Sequence, residues 1–332
     1  MKALVYTQPR ELQLQEVADP TLDDGEVILN IEAVGICGSD MHAWAGHDPR
    51  RKPGLVMGHE FVGEVISSAA PGILKGTRWT GNPLITCGTC DYCVQGRNNL
   101  CSNRTMVGMT RSGAYAQQMS IPAASLIAIP QDMSARDAAL TEPAATAWHA
   151  INLSMRVLTR PIHECRVLVM GGGAIGILAA LLFKRLGVSQ LTVTETNPLR
   201  RKTIRDAVGC EVLDPIHETL PTDFDHVFDA VGAKVTRLQS MTCIKPGGVI
   251  MHVGLQDWAS EIDMRKLTLA EVSLLGTYTY TTADLRATVA ALSRGELGDL
   301  AWVQERSLAD GPQAFRDLAE GVSSAPKIVL RN

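Results

Sequence analysis

Cys87, Cys90, Cys93 and Cys101 lie in the segment CGTCDYCVQGRNNLC with the spacing C-x2-C-x2-C-x7-C. Thiolates gathered on one short loop are the ligand set of a tetrahedral zinc, held through Zn–S bonds of about 2.3 Å. A site whose four positions are all cysteine is closed to substrate, so this zinc is expected to be structural. A second metal reading starts from Cys37 in CGSDMH and from His59 and Glu60 in GHEFVG. A cysteine, a histidine and carboxylates around one zinc leave a coordination position open, as a catalytic zinc requires. The pair His59-Glu60 is not the H-E-x-x-H of metalloproteases, because residue 63 is Gly63. Taken singly these residues say little: a lone cysteine is usually a small buried hydrophobe, and a lone histidine is usually hydrogen-bonded structure.

A third constellation is a phosphate cradle. Gly171, Gly173 and Gly176, with Ala174 and Ile175 between the last two, form G-x-G-x-x-G directly after the apolar run RVLVM and directly before a helix-prone stretch. In that context the glycines allow a tight turn, a close approach of backbone to pyrophosphate, and packing of helix on strand. The helix N-terminus then faces the anion. An acidic residue is expected about 20 residues further on, and Glu195 stands at the end of QLTVT. A carboxylate there accepts from both ribose hydroxyls and repels a 2′-phosphate, which favours NAD over NADP. Arg200, Arg201 and Lys202 are either a solvated helix face or a basic group within reach of such a phosphate.

The elements that must position these residues follow from pattern. The chain has 332 residues, 45% hydrophobic and 20% charged, enough for about two domains with sizeable cores. Its net charge of −4 gives no basic field for nucleic acid or membrane. The apolar stretch GGGAIGILAALLF is too short to span a bilayer, and MKALVYTQPR lacks the apolar core of a signal peptide. The cysteines are therefore expected to be reduced and metal-bound, and the cytoplasm is the expected compartment. In the first third, Val27, Leu29, Ile31 and Ala33 alternate with Ile28, Asn30 and Glu32, the pattern of a half-buried strand. Gly and Pro at short spacing there suggest a compact β-rich domain.

The character changes near Thr141-Glu142-Pro143. From Arg166 onward strands alternate with helices: RVLVM, then Gly176 to Leu186; QLTVT, then Asn197 to Val208; then HVFDAVG, GGVIMHVG and LLGTYTY as a last strand. That rhythm predicts a parallel sheet with helices on both faces. A helix near Pro312 to Glu320 and a final strand KIVL close the chain. Cys165, Cys210 and Cys243 match no ligand pattern and are expected in packing roles. His149, His163, His217, His226 and His252 receive no role.

CGSDMH, GHEFVG, the four-cysteine loop with Gly96 and Asn99, the triplet Thr141-Glu142-Pro143 and GGGAIG occur in one order. That ordered set resembles the zinc-dependent medium-chain dehydrogenase/reductase family of alcohol and polyol dehydrogenases, from Met1 to the closing KIVL. The resemblance implies an α/β architecture: a GroES-like β-rich catalytic domain over residues 1–143, completed by 282–332, and a Rossmann doubly wound parallel-sheet domain over 144–281. It implies two Zn2+ per subunit, with the catalytic zinc on Cys37 and His59. The third ligand is Glu60, as often in the polyol and threonine branches, or Glu142, which stands where simple alcohol dehydrogenases have a cysteine. Glu142 otherwise holds the zinc-bound water. Asp40 would fix the tautomer of His59, and Ser39 and His42 match the family's proton relay.

The implied chemistry is hydride transfer between the carbinol carbon of a small-molecule alcohol or polyol and NAD, with zinc as Lewis acid. Threonine, sugar-acid and polyol-phosphate dehydrogenases share the apparatus, and a non-catalytic dinucleotide binder is the reading from another class. Trp44, His47, Arg50 and Arg51 follow the relay motif, and either shape the substrate pocket, with an arginine meeting a substrate phosphate or carboxylate, or form an exposed loop. Gly76-Thr77-Arg78-Trp79 replaces the family's G-D-R-V turn. A homodimer or homotetramer is implied, joined through the apolar segment LAEVSLLGTYTY.

Overall fold

The computed structural model describes residues 1–332. The strand Glu26–Gly35 is the centre of the first unit. Val27, Leu29, Ile31 and Ala33 are buried and Asn30 is exposed, because successive side chains of a strand point to opposite faces. Its neighbours are Glu60–Ser68, Gln118–Pro122 and Lys327–Arg331, all antiparallel to it. The sheet continues through Arg78–Gly81 and Leu126–Ala128 on one side and Val303–Ser307 on the other. A small sheet of Glu11–Glu16, Lys2–Gln8 and Leu55–Val56 packs nearby. The two share a core in which Leu29, Ile31, Phe61, Tyr115 and Phe315 are almost wholly buried.

The register of one pair positions chemistry. Gly35 lies opposite Glu60, so the end of one strand meets the beginning of the other. Cys37 follows Gly35 closely and His59 immediately precedes Glu60. Two residues distant in sequence are thereby brought side by side.

The second unit is a six-stranded, wholly parallel sheet in the order Glu211–Leu213, Gln190–Thr194, Arg166–Met170, Phe224–Asp229, Ile244–His252, Ser273–Gly276. The strand order reverses at Arg166–Met170, the switch point at which open parallel sheets bind ligands. Arg166–Met170 is buried on both faces, as helix-covered parallel strands are. Val167 and Val169 pack with Ile177 and Phe183; Leu168 and Met170 pack with Met241 and Ile250.

The two units are joined by the helix Thr141–Met155, against which Ala174–Arg185 and Thr282–Ser293 pack. Pro143 sits in its first turn, where a backbone N–H has no partner inside the helix in any case, so the change of character at 143 falls within this turn. The last strand, Lys327–Arg331, returns to pair with Glu26–Gly35. The C-terminal segment is thus built into the first sheet.

Candidate active site and metal centres

Cys37 Sγ, a His59 ring nitrogen and a Glu60 carboxylate oxygen lie within 4.8 Å of one another. Cys37 caps the helix Gly38–Trp44, and His59 and Glu60 are buried. Behind His59 stands Asp40, whose Oδ1 is 3.4 Å from His59 Nδ1. Asp40 is in turn held by Tyr115, which donates to Oδ2 at 2.7 Å, and by Arg51 Nη2, 3.3 Å from Oδ1. Burial alone would raise the Asp40 pKa; His59, Arg51 and Tyr115 outweigh it and hold the carboxyl at about 2. Burial likewise opposes charge on His59, yet Asp40 and Cys37 raise its pKa well above the ordinary value. A site that draws a proton onto this imidazole also suits a metal cation, and the thiol, imidazole and carboxylate are the donor set that zinc takes. An Asp behind a ligating His is the usual device for fixing its tautomer.

Glu60 is paired through both of its oxygens. Lys327, itself buried, donates to Glu60 Oε1 at 2.7 Å and to Oε2, and also to the Ile36 carbonyl at 2.8 Å. Burial works against charge on Lys327, but Glu60 and Cys37 outweigh it and raise its pKa. Glu142, in the first turn of Thr141–Met155, is not among the gathered ligand atoms. Its Oε1 accepts from Tyr280 Oη at 2.8 Å. Burial, with the charge of Glu60 adding to it, pushes the Glu142 pKa up to about 7, against the opposing pull of His59, Tyr280 and Lys327.

Ser39 donates to Cys37 Sγ at 3.5 Å and accepts from Arg51 Nη2 at 3.3 Å. His42 lies on the same helix, half-buried, with its ring 6.3 Å from that of His47. No direct hydrogen bond joins Ser39 to His42.

The four cysteines of the loop place their Sγ atoms within 4.8 Å of one another. Cys101 and Cys87 are 3.5 Å apart, and Cys87 and Cys93 are 3.9 Å apart. A tetrahedron of Zn–S bonds of about 2.3 Å has edges of about 3.8 Å, so the loop is shaped for the ion. Backbone amides of Thr89 and Cys90 draw the Cys87 thiol down to about 6. Desolvation and its thiol neighbours push Cys93 up to about 11. Four thiols at this distance need a cation before all can ionise.

At the glycine-rich turn, Gly173 caps the helix Ala174–Arg185 with no side chain bonded to its free amides, and a Cβ on Gly173 would meet only open space. A Cβ on Gly176 would lie 1.8 Å from the Gly171 carbonyl, so only glycine allows this approach of helix to strand. Ala174 and Ile175 form the first turn of that helix. The room above Gly173 and the unspent amides are what a pyrophosphate needs. Glu195 is buried, with Oε2 accepting from Gly172 N at 2.9 Å and Oε1 from Asn197 N at 2.8 Å. Oε1 also accepts from Thr196 Oγ1 at 3.3 Å, so Oε2 is the oxygen that keeps a lone pair. Of the basic trio, Arg201 is spent on the Glu195 and Thr196 carbonyls and on Asp214, and Lys202 on Asp206. Arg200 keeps a buried Nε without a partner.

Two expectations are corrected. Trp44 does not shape a substrate pocket: it is buried in the first core, 6.1 Å from the Phe315 ring. Arg51 is not available to a substrate anion, because its side chain is fully buried and spent on Asp40, Asp48, Ser39 and the Gly108 carbonyl. Arg50 is exposed but closed in a fork onto Asp48. Cys165 and Cys243 are buried and Cys210 half-buried, each outside the ligand clusters. Lys327, Tyr280 and Tyr115 belong to the site without any motif to mark them in the sequence. The one signal for Lys327 was a lysine opening an otherwise apolar closing strand; its partner lies 267 residues away.

Residues 23–131 match the alcohol dehydrogenase GroES-like domain, and residues 174–294 match the zinc-binding dehydrogenase domain. The chain is 32% identical to an L-threonine 3-dehydrogenase of Chelativorans sp. (strain BNC1), covering 99% of this chain and 98% of that one. It is 29% identical to the L-galactonate-5-dehydrogenase of Escherichia coli (strain K12), over 90% of this chain and 88% of that one. The structure superposes on acetophenone reductase from Geotrichum candidum NBRC 4597 in complex with NAD, with a TM-score of 0.89 at 26% identity, covering 100% of this chain and 97% of the other.

Proposed function

The chain belongs to the zinc-dependent medium-chain dehydrogenase/reductase family, and from that premise we propose that it transfers hydride reversibly between the carbinol carbon of an alcohol or polyol and NAD. The observation that carries this is the buried meeting of Cys37, His59 and Glu60 within 4.8 Å, with Asp40 behind His59. Zinc, when bound, supplies a Lewis acid for the substrate oxygen, and the nicotinamide exchanges the hydride. Cys37, His59 and Glu60 would hold that ion, and Cys87, Cys90, Cys93 and Cys101 a structural one.

Each residue's work follows from its setting. Asp40 presents one nitrogen of His59 by engaging the other. Lys327 holds the Glu60 carboxylate in place and faces it with the opposite charge in a dry site. Glu142, steadied by Tyr280 and with a pKa near neutrality, is suited to hold or release a proton beside the substrate. Ser39 and His42, on one helix and without a direct hydrogen bond between them, are the residues that would carry the hydroxyl proton away from the site. The Gly171-to-Gly176 turn and the helix beginning at Ala174 would hold the pyrophosphate, and Glu195 would accept from the ribose. Arg200 is the one residue of the basic trio able to favour a 2′-phosphate, so NADP use would come through it.

We take residues 1–143 with 282–332 as the catalytic domain and 144–281 as the cofactor domain, a division that would put this machinery between the two. A homo-oligomer would form at Ser273–Gly276, the edge strand of the parallel sheet, on which Leu274 is exposed. No helix is long and apolar enough to cross a membrane; a cytoplasmic setting suits free thiols. The second reading, favoured by the relatives named above, is a threonine or sugar-acid substrate with the same apparatus. An absorbance screen of nicotinamide reduction tests both, over alcohols, polyols, sugar acids, phosphorylated polyols and threonine, with and without chelator. Turnover of at least one class, abolished by chelator, is expected; tight dinucleotide binding with no turnover of any class contradicts the proposal.

A further inference from the structure

The four-cysteine lobe touches the segment that carries Tyr280. Asn99, buried within the turn Asn98–Leu100 of the lobe, donates from Nδ2 to the Tyr278 carbonyl at 2.8 Å. Asn98 Oδ1 accepts from the Thr282 amide at 3.3 Å. Arg104, just past Cys101, is tied to the Cys101 carbonyl at 2.7 Å. Its guanidinium lies 4.6 Å from the centre of the Tyr278 ring, and its Nε donates to Tyr278 Oη at 3.3 Å. The lobe therefore grips the segment on both sides of Tyr280.

The gripped backbone is strained. Thr279 has φ +45°, a left-handed conformation that is costly for a β-branched residue and persists only where its surroundings impose it. The buried hydroxyls of Thr277 and Thr279 meet no protein hydrogen-bonding group. Tyr280 follows directly, fully buried, and its hydroxyl meets Glu142.

We infer that the four-cysteine lobe is a positioning device for Glu142. Asn99 and Arg104 hold Tyr278–Thr282 in a strained path whose effect is to set Tyr280 against Glu142. The closed cysteine site thereby bears on turnover without touching substrate. Asn99 and Arg104 are positioning residues, and their role rests on the catalytic reading of Glu142 above.

The test uses the zinc-loaded full chain and compares Asn99→Ala, Tyr280→Phe and the double variant. Asn99→Ala is expected to keep both zinc equivalents, to speed hydrogen exchange of the Tyr278–Thr282 amides, and to lower kcat about ten-fold, the effect of about one hydrogen bond on a barrier. The double variant should be no slower than Tyr280→Phe alone, because both remove one linkage. Should Asn99→Ala fail to fold or lose zinc, Arg104→Ala, which leaves Asn99 and every cysteine in place, carries the same expectations. Wild-type exchange at Tyr278–Thr282 in the folded variant, or strictly additive losses in the double variant, would overturn the inference. If Tyr280→Phe itself leaves kcat unchanged, the catalytic reading of Glu142 is what fails, and the exchange measurement still decides whether the lobe holds the segment.

Discussion

Lys327 and Glu60 form an ion pair with both side chains 1% exposed, joining the last strand of the chain to the candidate metal centre. Removing one partner of such a pair strands the other charge in a dry site, at a cost of about 3–5 kcal/mol, whereas replacing both costs much less. Lys327→Met should therefore destabilise the protein strongly, and Lys327→Met with Glu60→Gln should recover part of the loss. Denaturant midpoints of the four proteins at fixed zinc concentration check this. Additive losses would mean that the pair is not coupled.

The Glu195 carboxylate is already fixed by the Gly172 and Asn197 amides, so it is presented to a ribose at little further ordering cost. Glu195→Gln should lower kcat/KM for NAD by about ten-fold or more, the worth of one or two hydrogen bonds to a charged acceptor, and narrow the preference over NADP. Arg200→Ala should weaken NADP use and leave NAD nearly untouched. Steady-state kinetics with both coenzymes decide; a wild-type preference for NADP would contradict the role given to Glu195.

Cys90→Ser should lose one of two zinc equivalents and melt at a lower temperature, since the ion's binding energy is folding energy for such a loop. Metal analysis beside a thermal scan reads both. A variant with both equivalents and an unchanged melting point would show that the loop is not a zinc staple.

His226 is buried between Phe183 and Phe228, with Nε2 2.8 Å from Ser154 Oγ. Burial alone lowers its pKa to about 3, against about 6.5 in the unfolded chain. The unfolded state thus binds the extra proton, so the stabilising effect is full above about pH 6.5 and is lost as pH falls toward 3, at about 1.4 kcal/mol per pH unit. His226→Gln keeps a partner for Ser154 and removes the titration. Between pH 6.5 and 5 the wild type should lose about 2 kcal/mol relative to this variant in denaturant unfolding; parallel pH profiles would contradict the assignment.

Sequence carried the parts of this molecule that rest on local pattern. The alternation from Val27 to Ala33, the strand–glycine–helix run at Arg166 to Leu186 and the cysteine spacing each announce a local structure, and each is present. What escaped was made by long-range register. Lys327 meets Glu60, and Tyr280 meets Glu142 across 138 residues, only because the C-terminal segments return to the first unit. Arg51 reads either as a contact for a substrate anion or as an exposed loop charge, since nothing local announces that two aspartates and a serine will surround it.

The claim that chemistry resides at Cys37 and His59 is tested most directly by metal content and turnover measured together in Cys37→Ser. The account predicts a folded protein with about one zinc equivalent fewer than wild type, dinucleotide affinity retained, and nicotinamide reduction abolished for every substrate that the wild type turns over. A Cys37→Ser protein with full zinc content and wild-type turnover would contradict it.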